Sequence, residues 1–375
     1  MEFALHSDCR DSGFSYLSLL RSRHTPLKYT HSDLITPLQY DRTVMTTICV
    51  LGAGAMGTAC AWILAQNKDN SVRLWARNET FARHIHETRK NSRLLPNVRL
   101  PAGIEVTADA ESALRNADVV LVCVPTRGLR NAMHQLASLI PDAALIVSAV
   151  KGIENETLLR PSQIIQQIAG QRPVVVLGGP CHAEEITARK PASIVAACDS
   201  LDAAERIQSL MSMETLRLYS NADQTGVELA GALKNVIAIA AGICDGLQFG
   251  DNGKAALLTR GLAEMVRFGT ALGANSETFF GLAGLGDLVA TCNSQHSRNR
   301  FVGEALGRGQ SLKEVQDSMT AVAEGIFTAR SVYHLSQQKG IDMPIAEQVF
   351  RVLFENKSPR EATVELMQRP LKLEG

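Results

Sequence analysis

The chain has 375 residues, 45% of them apolar and 20% charged, with 38 basic and 38 acidic side chains in balance. That length exceeds one ordinary core and implies two domains, and zero net charge gives no electrostatic reason for a nucleic-acid or acidic-membrane partner. No apolar run reaches the ~20 residues of a membrane span, and eight cysteines without CxxC pairing or histidine clustering indicate neither a zinc site nor a disulfide framework. No metal is expected, and reduced thiols in a cytoplasm are.

Residues 1–44 differ from all that follows. They are rich in Ser and His, with one short apolar run at Phe14–Leu20 and no basic-then-apolar secretory layout. Glu2, Asp8, Asp11, Asp33 and Asp41 argue against an organelle transit peptide. Met45 stands immediately before the first clear strand, so 1–44 reads as a disordered extension or as translation from a start upstream of the true one.

Thr47–Leu51 is a short β-branched run, GAGAMG follows at Gly52–Gly57, and Thr58–Gln66 has helical composition. Strand, glycine loop and helix in that order form a dinucleotide-binding signature rather than a bare glycine turn. Gly52 permits the tight turn, Gly54 lets backbone approach a pyrophosphate, and Gly57 lets helix pack on strand. The second strand, Ser71–Ala76, ends in Arg77 and Asn78 where an NAD site normally has an acid for the ribose hydroxyls. A guanidinium suits a 2′-phosphate, so NADPH is the expected cofactor. Glu79 leaves NADH open, and Arg77 as a plain surface residue is the bland alternative.

Asp118–Pro125 and Ala144–Val150 are continuous apolar runs, as strands buried on both faces of a parallel sheet should be. The second ends in Lys151-Gly152, at the sheet edge where ligands collect. Pro173–Leu177 leads into Gly178-Gly179-Pro180-Cys181-His182-Ala183-Glu184, a loop whose glycines let backbone approach a ligand. His182 reads as a general acid or a solvated loop histidine, and Cys181 as a reactive thiol or a small packed residue. Ala192–Ala197 and Glu214–Tyr219 complete the strands.

From Asp223 on, helical patterns take over: Gln224–Gly246, Gly253–Leu272, Asn299–Gly307, Ser311–Ser318, Ala323–Lys339 and Pro344–Glu355. The fold class is thus an α/β Rossmann-type doubly wound sheet followed by an all-α substrate domain, divided as 45–220 and 221–375. In the first long helix Lys234 and Asn235 interrupt a segment apolar all round, the pattern of an internal helix. Burial there would lower the lysine pKa toward the range useful for proton transfer; otherwise its amine snorkels to water. Asp287, after the glycine-rich turn Phe279–Gly286, either caps the next helix or tunes Lys234. Ser294–Arg300 gathers Ser297, Arg298, Asn299 and Arg300 at a helix start, as a phosphate site or a solvated basic turn.

GAGAMGTA, VPTRGLR, SAVKGIE, the GGP loop, ELAGALKNV, AGLGDLVATC, HSRNRFVG and VAEG, in this order from Met45 to about Glu355, resemble the NAD(P)-dependent glycerol-3-phosphate dehydrogenase family. The resemblance implies reduction of dihydroxyacetone phosphate, with Lys234 protonating the developing alkoxide and Lys151 contacting both cofactor and substrate. It makes Gly179, Cys181, Asp287, Ser297, Arg298 and Asn299 substrate contacts. Gly52, Gly54, Ala55, Met56, Gly57, Ala183 and Arg298 become cofactor contacts, with Arg77 and Glu324 near the adenosine. It also implies a homodimer and a place in glycerophospholipid synthesis.

Two departures stand out. The family commonly has Ser-Trp at Ala55-Met56, so a hydroxyl contact is lost to backbone donors, and it has Ser or Thr then an apolar residue at Cys181-His182. The alternatives are a related reductase of the 6-phosphogluconate dehydrogenase-like group with another small acid or phosphate, and a non-catalytic dinucleotide sensor.

Overall fold

Apolar runs of four to six residues build the first half, and a computed structural model describes residues 45–319, 322–371 and 373. Expectations for 1–44 lie outside the described residues. The strands are β1 (Thr46–Leu51), β2 (Asn70–Trp75), β3 (Ile104–Thr107), β4 (Val119–Val122), β5 (Leu145–Ser148), β6 (Val174–Gly178), β7 (Ala192–Ala197) and β8 (Leu216–Asn221). They form one sheet in the order β8-β7-β6-β5-β4-β1-β2-β3. Pairing is parallel from β3 through β6. β7 then runs antiparallel to β6, and β8 parallel to β7.

The order 3-2-1-4-5-6 is that of a doubly wound sheet, and it reverses between β1 and β4. Side chains of β1 alternate between layers: Ile48 and Val50 enter one apolar cluster, Cys49 and Leu51 the other. β4 and β6 are buried along their whole length, which is why they read as unbroken apolar runs.

The differences from the sequence reading are local. β3 was not anticipated, because IEVT is a short edge strand with one face exposed. The runs predicted to Pro125 and Val150 leave the sheet earlier, at Val122 and Ser148. Helix α1 (Ala55–Leu64) begins inside the glycine motif, three residues before the predicted Thr58.

The second half starts where Asp223 caps helix α2 (Gln224–Gly246), its carboxylate accepting from Gly226 N at 2.8 Å. Every residue of α2 from Gly226 to Ile243 is buried. By length and composition α2 could cross a membrane, but 94% of its apolar window is buried inside the protein. Around it lie α3 (Gly250–Ala271), α4 (Asp287–Asn293), α5 (Arg298–Gly307), α6 (Glu324–Lys339) and α7 (Pro344–Phe354). Short helices at Ser276–Phe280 and Pro359–Met367 were not anticipated.

Helices α2 and α5 cross backbone to backbone. A Cβ on Gly242 would lie 2.0 Å from the Arg300 carbonyl oxygen, and one on Gly303 would lie 1.9 Å from that of Ile239. The close crossing brings the start of α5 beside Lys234 and Asn235.

Candidate active site

The glycine loop sits at the switch point of the sheet. Gly52 adopts φ +111°, and its N–H bonds to the Trp75 carbonyl at 3.0 Å. A Cβ on Gly57 would stand 1.8 Å from the Gly52 carbonyl oxygen, so α1 can approach β1 only with glycine there. On Gly54 a Cβ would meet nothing within 4 Å; it would project into open space at the start of α1. That helix has no side-chain cap and no acid in its first turn. The Ala55, Met56 and Gly57 N–H groups at its start therefore have no helical partner and are available to an anion. Neither Ala55 nor Met56 adds a hydroxyl, so the donors here are backbone.

This loop opens into a cleft of about 1250 Å³ running between the sheet and the helices. Lys234, Lys151, Cys181, Asp287, Ser297, Arg298, Asn299, Gly52, Gly54, Ala55, Met56, Arg77, Ala183 and Glu324 line it, whereas Gly57 and Gly179 do not. Gly57 lies behind the loop, and Gly179 acts through its carbonyl. Within the cleft Glu324 lies beside Thr126 and in the field of Arg298 and Arg127, and burial, the largest influence on it, raises its pKa. Free N–H groups at the start of α1 and polar side chains along the cleft fit a polar ligand that spans it, as a dinucleotide does.

At the end near β2, Asn78 caps the following helix, its side chain accepting from Phe81 N at 2.8 Å. The Glu79 carboxylate is paired with Arg83 at 2.9 Å and is absent from the cleft lining, whereas Arg77 lines it.

At the other end the chemistry converges on Asp287, 2% exposed. Its Oδ1 accepts from Lys234 Nζ at 3.1 Å and its Oδ2 from Lys151 Nζ at 2.7 Å. The helix-cap reading of Asp287 is therefore corrected: the N-cap position of α4 is Gly286, without a side-chain bond, and the carboxylate is spent on the lysines. Lys234, 6% exposed, also donates to Thr291 Oγ1 at 2.6 Å. Snorkelling is excluded by that burial. Lys151 further donates to the Gly179 carbonyl at 3.1 Å and to Cys181 Sγ at 3.3 Å.

Burial is the largest influence on Lys234 and lowers its pKa; Asp287 opposes this, Lys151 adds to it, and the outcome lies below the ordinary lysine value. For Lys151 burial is again the largest influence and pulls down, but Asp287 and Cys181 together outweigh it and hold the ammonium above its usual range. Asp287 is pushed up by burial and pulled further down by the two lysines, so it stays ionised. One lysine is a fixed cation and the other is poised to release a proton.

His182 is half-buried, with burial and then the Lys234 charge lowering its pKa. It is neutral at neutral pH, neither a charged acid nor a fully solvated loop residue. At the start of α5, Ser297 accepts from Arg300 N at 3.2 Å and so caps the helix. Asn299 donates to Asn235 Oδ1 at 2.9 Å and accepts from Gly325 N at 2.9 Å, which ties α2, α5 and α6 together. Arg300 turns away to Asp245, at 2.6 Å. Arg298 is exposed to the cleft, and no hydrogen bond or ion pair holds it among the described residues.

Thr291 and Asn235 were not anticipated as site residues. The signal for Thr291 is its place four residues after Asp287 on one helix face, and for Asn235 its adjacency to Lys234.

A sequence profile described as NAD-dependent glycerol-3-phosphate dehydrogenase N-terminus matches residues 47–204, and one for the C-terminus of that enzyme matches 223–364. A glycerol-3-phosphate dehydrogenase (NAD(P)+) of Prosthecochloris aestuarii is 47% identical over 330 residues, covering 87% of this chain and 99% of its own. One from Pelotomaculum thermopropionicum is 47% identical over 325 residues, covering 86% and 93%. The crystal structure of glycerol-3-phosphate dehydrogenase from Coxiella burnetii superposes with a TM-score of 0.83 at 37% identity, over 86% of this chain and 99% of that one. With both profiles matched in order and relatives 47% identical over nearly their whole length, the chain belongs to the NAD-dependent glycerol-3-phosphate dehydrogenase family.

Proposed function

We propose that Lys234 is the proton donor in the NAD(P)H-dependent reduction of dihydroxyacetone phosphate to sn-glycerol 3-phosphate, the reaction of this family. The observation that carries the assignment is the Asp287 bridge, which leaves Lys234 with a lowered pKa beside a permanently charged Lys151. When bound, the reduced nicotinamide supplies the hydride. Reduction of the ketone places negative charge on its oxygen, and a buried ammonium aimed at that oxygen both stabilises the charge and gives up its proton. Thr291 and Asp287 hold the Lys234 amine in position, with Nζ bonded to both. Lys151, tied to Gly179 and Cys181, is the second cation at the substrate.

Arg298, unpaired and exposed to the cleft, binds the unreactive phosphate of the substrate, and Ser297 and Asn299 hold the helix start that presents it. Binding energy collected at the phosphate positions the carbonyl. The glycine loop with Ala55 and Met56 would hold the pyrophosphate, assisted by Ala183, with Arg77 and Glu324 at the adenosine end. Arg77 without a competing acid favours NADPH over NADH. In this reading 45–220 binds the cofactor and 221–375 the substrate, and the chain acts as a homodimer in the cytoplasm.

The test is loss of nicotinamide absorbance on adding dihydroxyacetone phosphate with NADPH or NADH to the wild type and to Lys234→Met. General acid catalysis contributes roughly 10²–10⁴-fold, so kcat should fall by that factor while cofactor affinity stays near wild type. Turnover retained in the variant would remove Lys234 from the mechanism.

A further inference from the structure

Between β2 and β3 the chain makes a small hairpin, Lys90–Asn91 paired antiparallel with Leu95–Arg99, that the cofactor reading above leaves without a role. Its position is fixed from inside. Asn91 is 0% exposed, and its amide donates to the Ala53 carbonyl at 3.0 Å and to Thr58 Oγ1 at 2.8 Å. The same side chain accepts from Leu94 N at 3.1 Å, closing the turn that carries Ser92, Arg93 and Leu94. One buried amide thus fastens the hairpin tip to the glycine loop itself. The base is held too: the Arg89 guanidinium donates to the Pro101 and Ile104 carbonyls, and Leu100 N bonds to the Arg89 carbonyl at 2.9 Å.

Arg93, on that clamped turn, is exposed and lines the large cleft, the same cleft that Arg77 and Asn78 line. It also borders an adjoining cavity of about 330 Å³. Among the described residues no carboxylate pairs with Arg93 or Arg77, and Glu79 is taken by Arg83. Arg77 from the strand end and Arg93 from a turn fastened to the glycine loop thus both line the cleft without a carboxylate partner, as suits an anionic ligand there. The only strongly charged group of a nicotinamide dinucleotide outside its pyrophosphate is the 2′-phosphate, which binds the planar guanidinium fork well.

We propose that Arg93 recognises the 2′-phosphate of NADPH jointly with Arg77, so that the hairpin is a cofactor-specificity element. This rests on the assignment of Arg77 to the adenosine end and on the preference for NADPH drawn from it.

The test is equilibrium binding, followed by nicotinamide fluorescence, of NADPH and of NADH to the full chain as wild type, Arg93→Ala, Arg93→Lys and Arg77→Ala. Both arginines are exposed, so the variants should fold, and circular dichroism checks that they do. Loss of one charge-assisted contact predicts NADPH binding weaker by roughly tenfold or more in Arg93→Ala, NADH binding within about twofold of wild type, and partial recovery in Arg93→Lys. Equal weakening of both cofactors would place Arg93 on a part they share, and unchanged binding would give it no contact; either result overturns the proposal. Should Arg77→Ala abolish the preference while Arg93→Ala preserves it, the Arg93 assignment alone fails. A wild type that does not discriminate, or an Arg77→Ala that leaves the preference intact, ends the NADPH reading and this inference with it.

Discussion

A carboxylate buried between two ammonium groups decides which of them surrenders its proton. Asp287 gives its shorter bond, 2.7 Å, to Lys151 and the longer, 3.1 Å, to Lys234, and the pKa directions follow the same division. As the proposed proton donor, Lys234 must be protonated for reduction, so the rate should be lost as pH rises through its lowered pKa. Asp287→Asn removes the negative charge that supports that ammonium, while burial and Lys151 continue to disfavour it. The alkaline limb of kcat should therefore move to lower pH, by about one unit or more for a charge this close, along with a lower plateau. A pH profile of kcat for ketone reduction reads this directly; a limb that stays in place in Asp287→Asn would mean that Lys234 is not the group titrating. The pattern of residues singled out Lys234 and Asp287 but left the function of each open. What was missing was the third dimension: nothing in a run of glycines says that the Asp287 carboxylate turns inward over Lys234 instead of back onto its own helix.

Fully buried elements were legible, and of the two edge strands β8 was read from its pattern and β3 was not. Ala192–Ala197 and Gln224–Gly246 fall where the pattern put them because their apolar character begins and ends with the element. β3 and the hairpin carrying Asn91 escaped because half or more of their side chains face water, and the buried Asn91 amide that fastens the hairpin tip does not register in composition. Glu264 in α3 is another anchor of this kind, 2% exposed and accepting from Ile345 N at 2.6 Å and Ala346 N at 3.2 Å, the first-turn donors of α7. Burial raises its pKa to about 7 although both backbone bonds pull it down. Because the folded value lies above the unfolded one, the stabilisation is complete below about 4.5 and is lost as pH rises through about 7. The change is on the order of 3 kcal/mol. Glu264→Gln keeps an acceptor for α7 but does not titrate. The Tm difference between wild type and variant should consequently shift by several degrees in the variant's favour from pH 5 to pH 8. A difference that is flat across that range would show that the carboxylate stays charged throughout, held by the helix terminus.

For the molecule as a whole, residues from two differently built halves meet to within a hydrogen bond, and the proposed mechanism depends on that meeting. Lys151 follows a strand, while Lys234 and Asp287 belong to helices, and their contacts close across the cleft. The halves are joined away from the cleft by buried polar ties. Ser331 Oγ donates to the Ile153 carbonyl at 2.9 Å, and Gln224 bonds to the Val174 carbonyl. The third tie is Glu228, six residues before Lys234 on α2. Its carboxylate accepts from Ser162 N at 2.8 Å, from Ser162 Oγ at 2.6 Å and from the Arg160 guanidinium. Removing it in Glu228→Ala leaves a buried N–H and a half-buried cation without their partner, a loss of about 3 kcal/mol. If α2 is aligned from this distance, kcat should fall severalfold at temperatures well below the variant's Tm, with Glu228→Gln recovering part of both losses. Thermal unfolding and single-temperature kinetics on the same samples separate the two effects. A variant that is less stable but turns over normally would show that the Asp287 bridge alone sets the distance between the lysines, and that the outer ties act on stability only.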